Sequence, residues 1–218
     1  MMMLKLEDIA VQIPCGDITL DGRLRIPVSP RAGVVLCHPH PAFGGNMDNS
    51  LIVMLADALS QKGYATLRFD FRGVRGSTGK ATGGDREGED VVAAADFLRG
   101  KGIQPLVAGG YSFGAAVALE AVWRGADFAG VACIGFTTEV VAQGSKEEAR
   151  VRETIRKARK LLFISGTQDP YSLPEMLEAW GGRVEKLLAV GHFYSMLEEQ
   201  KILGLVEMHF LDATAKLA

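Results

Sequence analysis

Gly110-Tyr111-Ser112-Phe113-Gly114 is the stretch of this chain most suited to chemistry. A short apolar run, Pro105 to Gly109, precedes it and an Ala-rich run, Ala115 to Leu119, follows. The first fits a buried strand and the second a helix. A serine between them sits on a sharp strand-to-helix turn that lifts its hydroxyl above the sheet edge. The residues two before and two after the serine crowd each other, which calls for glycine at 110 and 114. The helix that starts there aims free N–H groups at negative charge developing near Ser112.

A serine hydroxyl attacks a carbonyl only when a base removes its proton and a third group holds that base. The chain has four histidines, so the base is found by elimination. His209 falls inside the last helical pattern, as a surface or packing residue. His38 and His40 precede the serine and belong to a proline-rich loop; spaced i, i+2, they lack a third metal ligand. His192, in Gly191-His192-Phe193, follows the predicted strand Val184–Val190 at its carboxyl end and is the best base. Asp169, just past the run Leu161 to Ser165, is the preferred acid; an Asx turn before Pro170 also accounts for it. Glu139, one strand earlier, is the competing acid. Ser112, Asp169 and His192 run in the order nucleophile, acid, base.

An oxyanion needs two backbone donors. Phe113 N–H, immediately after the nucleophile, is one. The other belongs to the loop after Val34–Cys37; Pro39 and Pro41 have no N–H, which leaves His40 or Ala42. By position the main chain of His40 is favoured. Tyr111, flanking the serine, is a candidate substrate contact.

The elements that must position these residues follow from periodicity. Leu4–Ile13 and Ile18–Ile26 alternate around Cys15-Gly16-Asp17 and predict an antiparallel hairpin. From residue 33 onward, strands alternate with helices: strands at 33–37, 64–69, 105–109, 128–136, 161–165 and 184–190. Helices are expected from a cap at Asn46, Asp48 or Asn49 to about Gly63, over Glu87–Arg99, from Ser112 to about Arg124, and over Glu147–Lys160, Leu173–Trp180 and Phe193 to about Lys216. That order predicts an α/β domain, a mostly parallel sheet wrapped on both faces, with functional groups at the strands' carboxyl ends. One domain over residues 1–218 is expected.

Several motifs resemble the α/β-hydrolase superfamily, in particular small lid-less bacterial hydrolases akin to dienelactone hydrolase. They are His38-Pro39-His40-Pro41 with Gly44-Gly45, Phe69-Asp70-Phe71-Arg72-Gly73 with Gly76-Ser77, the Ser112 pentapeptide, Gly166-x-x-Asp169 and Gly191-His192. The resemblance implies the α/β-hydrolase fold, an eight-stranded sheet and a Ser–His–Asp mechanism. Two departures stand out. Ser112 occupies the place where dienelactone hydrolase carries cysteine, and Pro170-Tyr171 follow the acid where many members carry small or branched residues.

Composition narrows the remaining classes. A formal net charge of -2 gives no reason to expect nucleic acid or an anionic membrane as partner. Three scattered cysteines, Cys15, Cys37 and Cys133, suit neither a disulfide framework nor a zinc knuckle. The absence of an apolar h-region or an 18-residue apolar run predicts a soluble cytoplasmic protein, monomer or homodimer. Gly76–Ala81 fails as a phosphate loop because Val74 and Ala81 replace the required glycine and hydroxyl. The acids Asp85, Glu87, Glu89 and Asp90 read as a helix N-terminus rather than a metal site, and Arg150 to Lys160 as a solvated helix face. The expected activity is cleavage of short-chain carboxylic esters without metal or cofactor. Acyl transfer or peptide cleavage by the same triad, and ligand binding alone, are the rivals. Only one helix fits between Phe136 and Leu161, so no separate lid domain is expected.

Overall fold

The computed structural model describes residues 6–215. The amino-terminal hairpin pairs β1 (Ile9–Cys15) with β2 (Ile18–Arg25) in register from Ile9↔Leu24 to Cys15↔Ile18. The turn is the two residues Gly16-Asp17, with Gly16 at φ +61°. Cys15 therefore pairs as a strand residue, and the strand extends beyond the predicted Ile13; Leu4 and Lys5 lie outside the described residues.

The core strands β3 (Ala32–Cys37), β4 (Tyr64–Phe69), β5 (Leu106–Tyr111) and β6 (Gly130–Ile134) are buried at every position, and β7 (Leu161–Gly166) at all but its first. Strands buried along their whole length are what a sheet covered on both faces produces, and the polar Thr66, Arg68 and Ser165 are buried among their apolar neighbours. With β8 (Val184–Leu187) the order is β1-β2-β4-β3-β5-β6-β7-β8, parallel from β4 to β8. Chain order reverses at β3, whose neighbours are β4 and β5. A crevice opens at the carboxyl ends of strands around such a reversal.

Helices α2 (Glu87–Gly100), α3 (Phe113–Trp123) and α4 (Lys146–Lys157) pack over one core, and α1 (Ser50–Gln61) and α6 (Met196–Thr214) over the other. A short α5 (Pro174–Ala179) lies beside β7 and β8. Between β6 and β7 there is only α4, and no lid domain.

Predicted and observed ends differ where caps or turns intervene. The strand expected to reach Val190 stops at Leu187, because Ala189 takes φ +57°. The last helix starts at Met196, three residues later than predicted. Ser195 and Glu198 form a reciprocal capping box there, which satisfies two backbone donors and fixes the start. The predicted end near Lys216 lies outside the described residues. Helix α4 begins on the Ser145 hydroxyl, which accepts from Glu148 N–H. It stops at Lys157, because Ala158 already has extended backbone. Asn49 occupies the cap position of α1 without a side-chain bond.

Candidate active site

Strand β5 delivers its last residue, Tyr111, directly to Ser112, which holds φ 55° and ψ -118° before α3 begins. A non-glycine residue here is strained and persists only where its surroundings fix it. They do. Ser112 N–H donates to Ile134 O at the end of β6 (2.8 Å). A Cβ on Gly110 would lie 2.2 Å from Gly114 O. A Cβ on Gly114 would lie 2.3 Å from Cys37 O. The turn is thus wedged against its own helix and against the end of β3.

The histidine arrives from the loop after β8. His192 Nε2 lies 2.9 Å from Ser112 Oγ, and His192 Nδ1 lies 2.7 Å from Asp169 Oδ2. Asp169, on the loop after β7, is 2% exposed. Its other oxygen, Oδ1, accepts from Tyr171 N–H (2.9 Å) and Ser172 N–H (3.1 Å). The Asx turn and the histidine contact coexist, one on each carboxylate oxygen. Glu139, the competing acid, is exposed on the cleft wall.

Three features of this arrangement escaped sequence reasoning. Tyr111 Oη donates to His192 O (2.8 Å). Its phenol is pushed up to about 12 by burial, with the Asp169 charge adding to the effect. Gly135, at φ +57°, leaves room for the imidazole: a Cβ there would meet His192 Cε1 at 3.2 Å. Gly166 lets the acid-bearing and base-bearing loops touch, since its Cβ would lie 2.1 Å from Val190 O. A glycine just past an apolar strand was the available signal for Gly135.

The loop after β3 folds into a 3-10 turn, Pro41–Phe43. Ala42 N–H is committed to His40 Nδ1 (3.1 Å). The N–H groups of His40 and Phe113 donate to no acceptor among the described residues. The His40 ring packs edge-on against Phe113 (centroids 4.7 Å). His38 is buried and anchors the loop: Nδ1–H donates to Pro39 O (2.7 Å) and Nε2 accepts from Phe71 N–H (3.1 Å). Burial lowers its pKa to about 4, against the opposing pull of Pro39 O, so the ring is neutral at pH 7. His209, predicted as a surface or packing residue, is buried and bonds Val131 O (3.0 Å).

A cleft of about 970 Å³ opens over Ser112 and His192. Its walls are largely apolar, from Phe113, Phe136, Val140, Val141, Tyr171 and Phe193. The Tyr111 ring borders the same cleft, but its hydroxyl faces His192 O. A hydroxyl, an imidazole and a carboxylate in one bonded line can activate an alcohol, and backbone N–H groups without an internal acceptor are the kind of donor that stabilises an oxyanion.

The sequence profile of the Alpha/beta hydrolase domain family matches residues 30–192, so the chain belongs to the α/β-hydrolase superfamily. Among solved structures it is similar to XC6422 of Xanthomonas campestris, a lid-less α/β serine hydrolase (TM-score 0.73, 23% identity, 97% of this chain and 95% of that chain). A serine hydrolase homologue of Coxiella burnetii gives a TM-score of 0.74 at 25% identity, with 99% of each chain covered. The Pyrococcus furiosus esterase Pf2001 gives 0.75 at 20% identity over 94% of this chain and 93% of that one. Likeness at these identities concerns the fold. The uncharacterized protein RP471 of Rickettsia prowazekii (strain Madrid E) is 40% identical over 108 residues, 48% of this chain and 45% of that protein. The match therefore spans less than half of that relative's length. Among the described residues, no helix is long and apolar enough to cross a membrane.

Proposed function

We propose that this hydrolase-fold chain is a serine hydrolase that cleaves short-chain carboxylic esters through an acyl-enzyme. The observation that carries the reading is the bonded line Ser112 Oγ–His192 Nε2 (2.9 Å) and His192 Nδ1–Asp169 Oδ2 (2.7 Å). His192 takes the Ser112 proton as Oγ attacks the acyl carbon, then gives it to the departing alcohol. Asp169 keeps the proton on Nδ1 and stabilises the imidazolium. The N–H groups of His40 and Phe113 hold the oxyanion, each donor being worth roughly 10²–10³ in rate. Water then attacks the acyl group by the same route.

The preference for short acyl chains is supported by the lack of a lid, since an open cleft leaves more of a long chain's apolar surface in water. A fluorophosphonate probe should label the wild type at Ser112, and p-nitrophenyl butyrate should be hydrolysed faster than the palmitate. Labelling and turnover should vanish in Ser112→Ala. Failure to label the wild type would sink the serine-hydrolase reading; faster palmitate cleavage would sink only the chain-length part.

A further inference from the structure

Two aromatic rings flank the imidazole on the cleft side. The Tyr171 ring centroid lies 5.0 Å from that of His192, and the Phe193 centroid 5.6 Å, both edge-to-face. Both line the cleft. Phe193 is 82% exposed and Tyr171 42%. Large aromatic rings left in water at the mouth of a pocket mark a surface meant to be covered.

What covers them follows from the proton path. The departing oxygen must lie beside His192 Nε2 to receive its proton, so the alcohol portion extends from that nitrogen into the cleft. The rings that meet His192 edge-on there are Tyr171 and Phe193; the Tyr111 ring, 5.7 Å away and tilted, is tied down by its hydroxyl on His192 O. The oxyanion side is bordered instead by His40 and Phe113. Tyr171 is also held firmly by its backbone. Its N–H donates to Asp169 Oδ1 (2.9 Å), and its carbonyl accepts from Thr138 N–H (2.8 Å). Leu173 N–H in turn donates to Thr138 Oγ1 (3.0 Å). These bonds brace the acid loop against the cleft wall and fix the backbone that carries the ring.

We propose that Tyr171 and Phe193 form the alcohol-side subsite and select esters of planar aromatic alcohols. The proposal rests on the serine-hydrolase reading and names the substrate class for that site. Aromatic pairs gain attraction beyond the area they bury, because ring faces and edges carry opposite partial charge; a saturated ring of equal size lacks this.

The test compares benzyl acetate with cyclohexylmethyl acetate, whose alcohols are similar in size and basicity. In the wild type, kcat/KM should favour the benzyl ester about tenfold, the yield of two aromatic contacts. Tyr171→Leu and Phe193→Leu should each lower that ratio several-fold, and Tyr171→Phe should keep it. The ratio cancels any loss common to both esters, and fluorophosphonate labelling verifies that each variant is folded. A wild-type ratio near one, or a ratio that neither leucine variant moves, overturns the proposal. So does an enzyme that labels but cleaves neither ester, which leaves the serine-hydrolase reading standing. Absence of labelling would remove both.

Discussion

The hydroxyl of Tyr111 donates a 2.8 Å hydrogen bond to the backbone carbonyl of His192. The residue before the nucleophile thus holds the main chain of the proposed base, 81 positions later in the sequence. Because its phenol is raised to about 12, the donor proton stays in place through any ordinary assay pH. Tyr111→Phe removes the donor and leaves a buried carbonyl unpaired, a loss of about 1–3 kcal/mol in stability. It also frees the His192 loop. We expect kcat to fall about tenfold, since a misplaced base forfeits part of the geometric advantage. Steady-state kinetics together with urea unfolding checks both parts; wild-type values in both would show the bond to be incidental.

Ser112 stores strain in its backbone. At φ 55° and ψ -118° the cost for a residue with a Cβ is roughly 1–3 kcal/mol. Glycine escapes it, against roughly 0.4–1 kcal/mol for its freer unfolded chain. Ser112→Gly should therefore melt higher than Ser112→Ala, by about 1 kcal/mol in unfolding free energy, while both lose activity. Equal stability of the two variants would mean that the turn is relaxed.

The two kinds of site information were unequally legible. Ser112, Asp169 and His192 could be brought together on paper because each lies at or a few residues past the carboxyl end of a parallel strand, and those ends share one edge of the sheet. The choice of His40 over Ala42 rested on position; the bond from Ala42 N–H to the His40 ring, which favours that proposal, exists only in the folded loop. Tyr111's hydroxyl and Gly135's clearance depend on partners brought together only by the sheet. The start of α6 was legible and missed: Ser195 and Glu198 carry the capping spacing, but the apolar residues before them pulled the predicted helix back to Phe193.

Asp90 shows the same limit. As an acid in the first turn of α2 it fits the helix dipole, yet it is fully buried and bonded to Arg72. Its Oδ1 accepts from Arg72 Nε (2.9 Å) and Nη2 (2.6 Å), and its Oδ2 from Arg72 N–H (2.9 Å). The pair ties α2 to the loop after β4. Arg72→Met strands the Asp90 charge in the interior and should cost about 3–5 kcal/mol, whereas Asp90→Leu should cost less, because Arg72 Nη2 also pairs with Glu89 (3.0 Å). The double variant Arg72→Met with Asp90→Leu should recover much of that loss. Denaturant midpoints measure all three; additive losses in the double variant would contradict a paired burial.

His38 makes stability depend on pH in a defined window. Its folded pKa is about 4 against an ordinary 6.5, so between these values the unfolded chain binds more protons than the folded one. Stability is therefore full above about pH 6.5 and falls as pH drops toward 4. The 2.5-unit difference between those values corresponds to about 3 kcal/mol at its limit. Protonation would also abolish the acceptor that Nε2 offers to Phe71 N–H, loosening the loop that carries His40. His209, likewise lowered by burial, contributes with the same sign, so the diagnostic is a difference between proteins. His38→Gln supplies an amide oxygen that does not titrate. Urea unfolding at pH 7 and pH 4.5 should show the wild type losing about 2–3 kcal/mol more than His38→Gln between the two conditions. Parallel losses would show that His38 does not stay neutral in the folded protein.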